Sequence, residues 1–146
     1  MRMTKVNKNF QVGLKAILNN NGSFLALKDA YSEYWDIPGG RIEANEIDLP
    51  VSECLRREVL EELGLSVRFE IKEIVDVCKF KVSPSNKLAP NINLFLVFYH
   101  CLFLGGEILL NDESHNFRWL TKSNYQECNF GSHQKVIDQY VKKYLT

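Results

Sequence analysis

Gly39-Gly40-Arg41-Ile42-Glu43-Ala44-Asn45-Glu46-Ile47-Asp48-Leu49-Pro50-Val51-Ser52-Glu53-Cys54-Leu55-Arg56-Arg57-Glu58-Val59-Leu60-Glu61-Glu62-Leu63-Gly64 joins a glycine pair to an acidic helical segment. Proline suits a helix's first turn and glycine the position just past its end, so the spacing predicts a helix from Pro50 to Leu63. Val51, Leu55, Val59 and Leu63 recur every four residues and form its apolar stripe. At 100° per residue, Glu58, Glu61 and Glu62 fall within an arc of about 100° beside that stripe, with Glu62 nearest its edge. The three acids therefore border the core.

That placement is unfavourable without a counter-ion. Like charges at i,i+4, as at Glu58 and Glu62, cost about 0.2–0.5 kcal/mol even on an exposed helix. Arg57 can reach Glu61 and Glu53, which leaves Glu58 and Glu62 unbalanced. Hard oxygen ligands at this density suit magnesium, or manganese as a substitute, and both ions also bind phosphate oxygens. The carbonyls of the preceding glycine pair can face the same ions. A loop and helix of this kind suit metal-assisted attack on a diphosphate, where ions neutralise phosphate charge and lower the pKa of a bound water. The competing reading is an acidic helix face in solvent.

Outward from this stretch, Phe10 to Leu18 and Ser23 to Lys28 read as strands of a hairpin turning at Asn19-Asn20-Asn21-Gly22. Trp35 to Gly40 breaks regular structure. Val67 to Val77 and Asn91 to Leu104 read as strands separated by a Ser-Pro-Ser-Asn-rich loop. Gly105-Gly106 marks a turn, Phe117 to Leu120 a short strand, and Ser132 to Leu145 an amphipathic closing helix. The expectation is one mixed α/β domain over residues 1–146.

The chain has 146 residues, enough for one domain with its own core. Its 18 basic and 18 acidic residues cancel, so neither extended nucleic acid nor a membrane is expected as a partner. The most apolar run, Leu94 to Leu104, is about half the length that crosses a bilayer. Met1 to Gln11 is too polar for a signal peptide. Cys54, Cys78, Cys101 and Cys128 form no C-x-x-C pair, which points to reduced thiols and a cytoplasmic location.

Gly40 to Leu65 resembles the Nudix box, G-x5-E-x7-R-E-U-x-E-E-x-G-U, where U is aliphatic. Gly40, Glu46, Arg57, Glu58, Val59, Glu61, Glu62, Gly64 and Leu65 fill its fixed positions in order. The order of elements is similar to the Nudix α/β/α sandwich with a mixed sheet. The resemblance implies a pyrophosphohydrolase that uses magnesium. It implies Glu58, Glu61, Glu62 and the Gly39 carbonyl as metal ligands, Arg57 orienting the acids and Glu46 structural. A further family acid outside the box falls on Glu113, six residues before Trp119, as metal ligand or general base. One departure stands out: ten residues separate Glu46 from Arg57 where the pattern has seven. The extra three are placed at Ile47-Asp48-Leu49, which puts the position of Glu46 in question.

His100 reads as a satisfied core histidine and His115 as a loop residue. Trp35 and Trp119 read as packing residues, and Lys79, Lys81 and Lys87 as soluble surface. The Tyr31 to Trp35 turn and the Ser83 to Asn91 loop are the expected specificity selectors. The expected function is magnesium-dependent hydrolysis of the diphosphate linkage in a nucleoside triphosphate or nucleoside diphosphate derivative, by a monomer or homodimer. The rival is a Nudix-fold module that binds a nucleotide or partner with little catalysis.

Overall fold

A computed structural model describes residues 5–82 and 92–145. The expected loop Ser83 to Asn91, with Lys87, lies outside the described residues. The chain runs β1 (Gln11–Asn20), β2 (Ser23–Asp29), β3 (Trp35–Asp36), β4 (Gly39–Arg41), α1 (Val51–Leu63), β5 (Arg68–Lys81), β6 (Asn93–Gly105), β7 (Ser114–Thr121) and α2 (Gln134–Tyr144). Short 3-10 turns lie at Ala44–Glu46, Tyr125–Glu127 and Gly131–His133.

The strands form one mixed seven-stranded sheet among the described residues, with the path β3-β2-β1-β6-β5, β4 beside β1 and β7 beside β2. Alternation along β1 and β2 sends successive side chains to opposite faces. Leu14, Ala16, Leu18, Leu25 and Leu27 pack with Cys54, Leu55, Val59 and Leu63 of α1. Ile17, Phe24 and Ala26 pack with Val136, Ile137, Tyr140 and Val141 of α2. Burying one such side chain contributes about 1.5–3 kcal/mol. The α/β/α sandwich expected from the sequence is the fold observed.

The hairpin differs from its expected form. β1 and β2 pair only at their tips, Asn19 with Phe24 and Asn20 with Ser23. Further down, the β1 edge is taken by β4, with Lys15 opposite Gly39 and Leu14 opposite Gly40. β2 pairs instead with β3 and β7. The splay opens the sheet beside the glycine pair. Trp35 to Gly40 is thus two short strands, not a break, because the chain finds an unfilled strand edge on each side of Pro38.

Other boundaries shift for physical reasons. Pro50 precedes α1 as its N-cap with φ −56° and ψ 143°. Val51 is 43% exposed, and Cys54, 1% exposed, is the first residue of α1 to enter the core. Gly64 (φ 105°) ends the helix as expected, its N–H donating to the Leu60 carbonyl. β5 runs on to Lys81 because β6 pairs with it throughout, with bulges at Ile71/Glu73 and Ile74/Asp76. His100 accepts its expected place, half-buried with Nδ1 2.9 Å from the Tyr140 hydroxyl. Trp119 packs edge-on to Phe103 at 5.0 Å, and all four cysteines are free. Among the described residues no helix is long and apolar enough to cross a membrane.

Candidate active site

The glycine pair and α1 meet where β1 and β2 part. Gly39 adopts φ 148°, and a Cβ there would run into the backbone carbonyl of Leu14. Only glycine lets the chain lie this close to β1. Gly40 answers to a different neighbour: a Cβ there would collide with the carboxylate of Glu58. One glycine serves the sheet and the next makes room for an acid.

Arg57 organises the acids beneath. Its Nε donates to Glu46 Oε2 at 2.6 Å and its Nη2 to Glu46 Oε1 at 2.6 Å, a bidentate pair. Glu46 is 4% exposed, and its Oε1 also accepts the Glu43 N–H at 2.8 Å. The Arg57 guanidinium holds the Glu46 carboxyl down at about 2. Glu46 is thus the buried acid that anchors Arg57. Ile47-Asp48-Leu49 form an exposed turn after Glu46, with Ile47 83% exposed.

Arg57 also reaches Glu58 Oε1 at 3.0 Å, Glu61 Oε2 at 3.1 Å and Glu43 Oε1 at 3.5 Å. The expected Arg57–Glu53 contact is replaced by these, because Glu46 draws the guanidinium toward the loop. Glu58, expected to lack a counter-charge, has one. Burial still pushes its carboxyl up, opposed by Arg57 and reinforced by Glu61 and Glu113.

Glu62 is 8% exposed and accepts the Gly39 N–H at 3.0 Å. Burial pushes its carboxyl up to about 8, against the pull of Lys15 and the Gly39 amide. Glu61 projects outward, its side chain 56% exposed. Glu113 stands before β7 in a turn that Asn111 ties to α1. Asn111 Nδ2 donates to the Glu61 carbonyl at 3.4 Å and Asn111 Oδ1 accepts the Glu113 N–H at 3.0 Å. The charge of Glu113 raises both Glu58 and Glu62.

The acids share a pole but are not drawn together. Among the described residues no three His, Cys, Asp or Glu side chains are gathered closely enough to hold an ion. Glu58 and Glu61 lean on Arg57 while Glu62 leans on Gly39. The chemistry of the donor set still suits a hard cation: Glu58, Glu61 and Glu62 are carboxylates of one helix, and the charge of Glu113 is felt at Glu58 and Glu62.

Lys15, Asp36 and His133 are charged or polar neighbours that carried no role in the sequence reading. Lys15 Nζ lies 3.0 Å from Asp36 Oδ2, and His133 Nε2 lies 3.1 Å from Asp36 Oδ1. The available signal was a lysine alternating with apolar residues in β1. Of the aromatic turn, Tyr31 is 72% exposed and Tyr34 44% exposed.

The NUDIX domain family model matches residues 9–140. Nucleoside triphosphatase NudI of Enterobacter sp. (strain 638) is 29% identical over 118 residues, covering 74% of this chain and 79% of that protein. NudI of Escherichia coli (strain K12 / DH10B) is 27% identical over 112 residues, 71% of this chain and 77% of its own length. The crystal structure of a NUDIX hydrolase from Nitrosomonas europaea superposes with a TM-score of 0.74 at 21% identity, covering 97% of this chain and 75% of that one. A match across most of the chain, carried by the box around Arg57 and by the sandwich that presents it, places this chain in the NUDIX domain family as a Nudix-type hydrolase.

Proposed function

We propose that this chain hydrolyses the diphosphate linkage of a nucleoside triphosphate or nucleoside diphosphate derivative, using magnesium, with manganese as a substitute. In this reading the Gly39 carbonyl, Glu58, Glu61, Glu62 and Glu113 are the ligands, and Arg57 orients them from its anchor on Glu46. The observation that carries it is that bidentate anchor, which sets Arg57 against Glu58 and Glu61. A binding module has little use for mutually repelling acids. The rival reading drew its support from the longer spacing, and Ile47-Asp48-Leu49, where we place the extra residues, form an exposed turn. The NudI relatives are nucleoside triphosphatases, which favours a triphosphate over other diphosphate derivatives.

The chemistry follows from what these side chains can do. Bound magnesium supplies neutralisation of phosphate charge and an acidified water. Glu61, exposed, can swing from Arg57 to a ligand position without disturbing the core. Glu58 is confined between Gly40 and Arg57, and Glu62 is held by the Gly39 amide, so two ligands are pre-set and one adapts. The water oxygen bonds to phosphorus as the anhydride P–O bond breaks, and a carboxylate of the pole takes the proton. A triphosphate yields a nucleoside monophosphate and pyrophosphate. We read residues 1–146 as one Nudix domain that works in the cytoplasm as monomer or homodimer.

The test is a panel of nucleoside triphosphates, nucleotide sugars, dinucleoside polyphosphates and ADP-ribose, with and without magnesium, read by phosphate release after phosphatase coupling. Magnesium-dependent turnover of a triphosphate is the expected result. Silence across the panel from protein that binds the metal would replace hydrolysis with the binding-module reading.

A further inference from the structure

Lys15 is the charged residue of β1. It sits in the middle of the sheet, paired with Gly39 on one side and Phe98 on the other. Its side chain is only 11% exposed. Its ammonium donates to Asp36 Oδ2 at 3.0 Å and to the Ile37 carbonyl at 3.2 Å. Asp36 is held by His133, which is 8% exposed and packs against the rings of Phe80 and Phe98, with centroids 5.9 and 5.4 Å away. The neighbouring Trp35 N–H donates to the Asn129 carbonyl at 2.8 Å.

These bonds converge on one short segment. Residues Trp35 to Ile37 are tied to β1 through Lys15 and to the approach to α2 through His133 and Asn129. Two residues on, Gly39 donates to Glu62. An apolar residue at position 15 would fill the sheet without the desolvation that a buried ammonium suffers. Core packing alone therefore does not call for lysine, whereas fixing a carbonyl and a carboxylate at once does.

We propose that Lys15 is a positioning residue: through Asp36 and the Ile37 carbonyl, backed by His133, it fixes the segment from Trp35 to Gly40 where Gly39 and Glu62 meet the metal. This rests on the metal-site reading above. Residues that hold a metal's ligands in place change its affinity or activity by about 10–100-fold when removed. The sign separates positioning from a simple field effect. Lys15→Met removes a positive charge near the ion and Asp36→Asn a negative one, so a field alone would strengthen binding in the first and weaken it in the second. Loss of positioning weakens both.

The experiment is a Mn2+ titration of the full chain followed by electron paramagnetic resonance, without nucleotide, on wild type, Lys15→Met, Lys15→Arg and Asp36→Asn. Weakening of about 10-fold or more in both Lys15→Met and Asp36→Asn is expected, with Lys15→Arg returning to within about threefold of wild type. With a triphosphate substrate, kcat should fall in the two weakened variants while KM stays within about threefold. Binding in Lys15→Met as tight as, or tighter than, wild type would overturn the proposal. Should Lys15→Met fail to fold, unchanged binding in Asp36→Asn overturns it equally. Failure of wild type to bind Mn2+ would instead overturn the metal site and this inference with it.

Discussion

Gly40→Ala separates the site from the fold. Gly40 lacks the positive φ that strains a side chain, so alanine is compatible with its backbone. The added Cβ would lie 2.7 Å from Glu58 Oε1 and closer still to the other two carboxyl atoms. Ordinary van der Waals contact begins near 3.4 Å, so the carboxylate must retreat by roughly an ångström. Glu58 is a flexible side chain and can make that move, at the expense of its approach to the glycine turn. Misplacement of this size costs about 100-fold in rate, or ~2.7 kcal/mol of transition-state stabilisation. Stability should change by no more than about 1 kcal/mol, because alanine also restricts the unfolded chain. Urea denaturation and steady-state hydrolysis of a triphosphate measure the two quantities on the same preparation. A variant that folds like wild type and turns over within about threefold of it would refute the argument that Gly40 exists to seat Glu58.

Gly39→Ala should behave in the opposite way, losing about 2 kcal/mol or more of stability, because its Cβ meets the unyielding Leu14 backbone; a melting curve decides. Glu61→Gln should lower kcat by on the order of 100-fold with an unchanged denaturation midpoint, since the side chain is 56% exposed and a metal ligand by the proposal. Leu55→Ala should cost about 2–5 kcal/mol in chemical denaturation, because Leu55 is fully buried under β1 and β2. Glu46 has its carboxyl lowered to about 2 from 4.5 in the folded chain, so its contribution is complete above pH 4.5 and is lost as pH falls toward 2. Glu46→Gln should therefore flatten the acid limb of the stability profile, leaving the part that belongs to the other lowered carboxyls, Asp36 beside Lys15 and Glu73 beside Tyr144. An acid limb as steep as wild type would contradict the Glu46–Arg57 assignment.

The fold was legible where chain-local chemistry decides it. The Leu55, Val59 and Leu63 spacing placed α1 and Gly64 stopped it, and the turn at Asn19 to Gly22 placed β1 against β2. What could not be read was which edges pair. β4 displaces β2 from most of β1, a choice made by the close approach of Gly39 to Leu14 and invisible in periodicity. The carboxylates were legible because Glu58, Glu61 and Glu62 share a helical face. The Arg57–Glu61 pair was legible from its i,i+4 spacing, but the reach of Arg57 to Glu58 was not, since Glu46 aims the guanidinium from outside the helix, and neither was Lys15, which arrives from another strand. Lys15 and His133 are separated by more than a hundred positions in sequence and meet only through Asp36.

The most direct measurement is nuclear magnetic resonance of the isotopically labelled chain during addition of substoichiometric Mn2+. If the glycine turn and α1 hold the catalytic ion, the amides of Gly39, Gly40, Glu58, Glu61 and Glu62 broaden first, Glu113 follows with them, and excess magnesium restores all of them. Broadening that spares this pole, or that magnesium does not reverse, would contradict the assignment of a metal-dependent hydrolytic site to these residues.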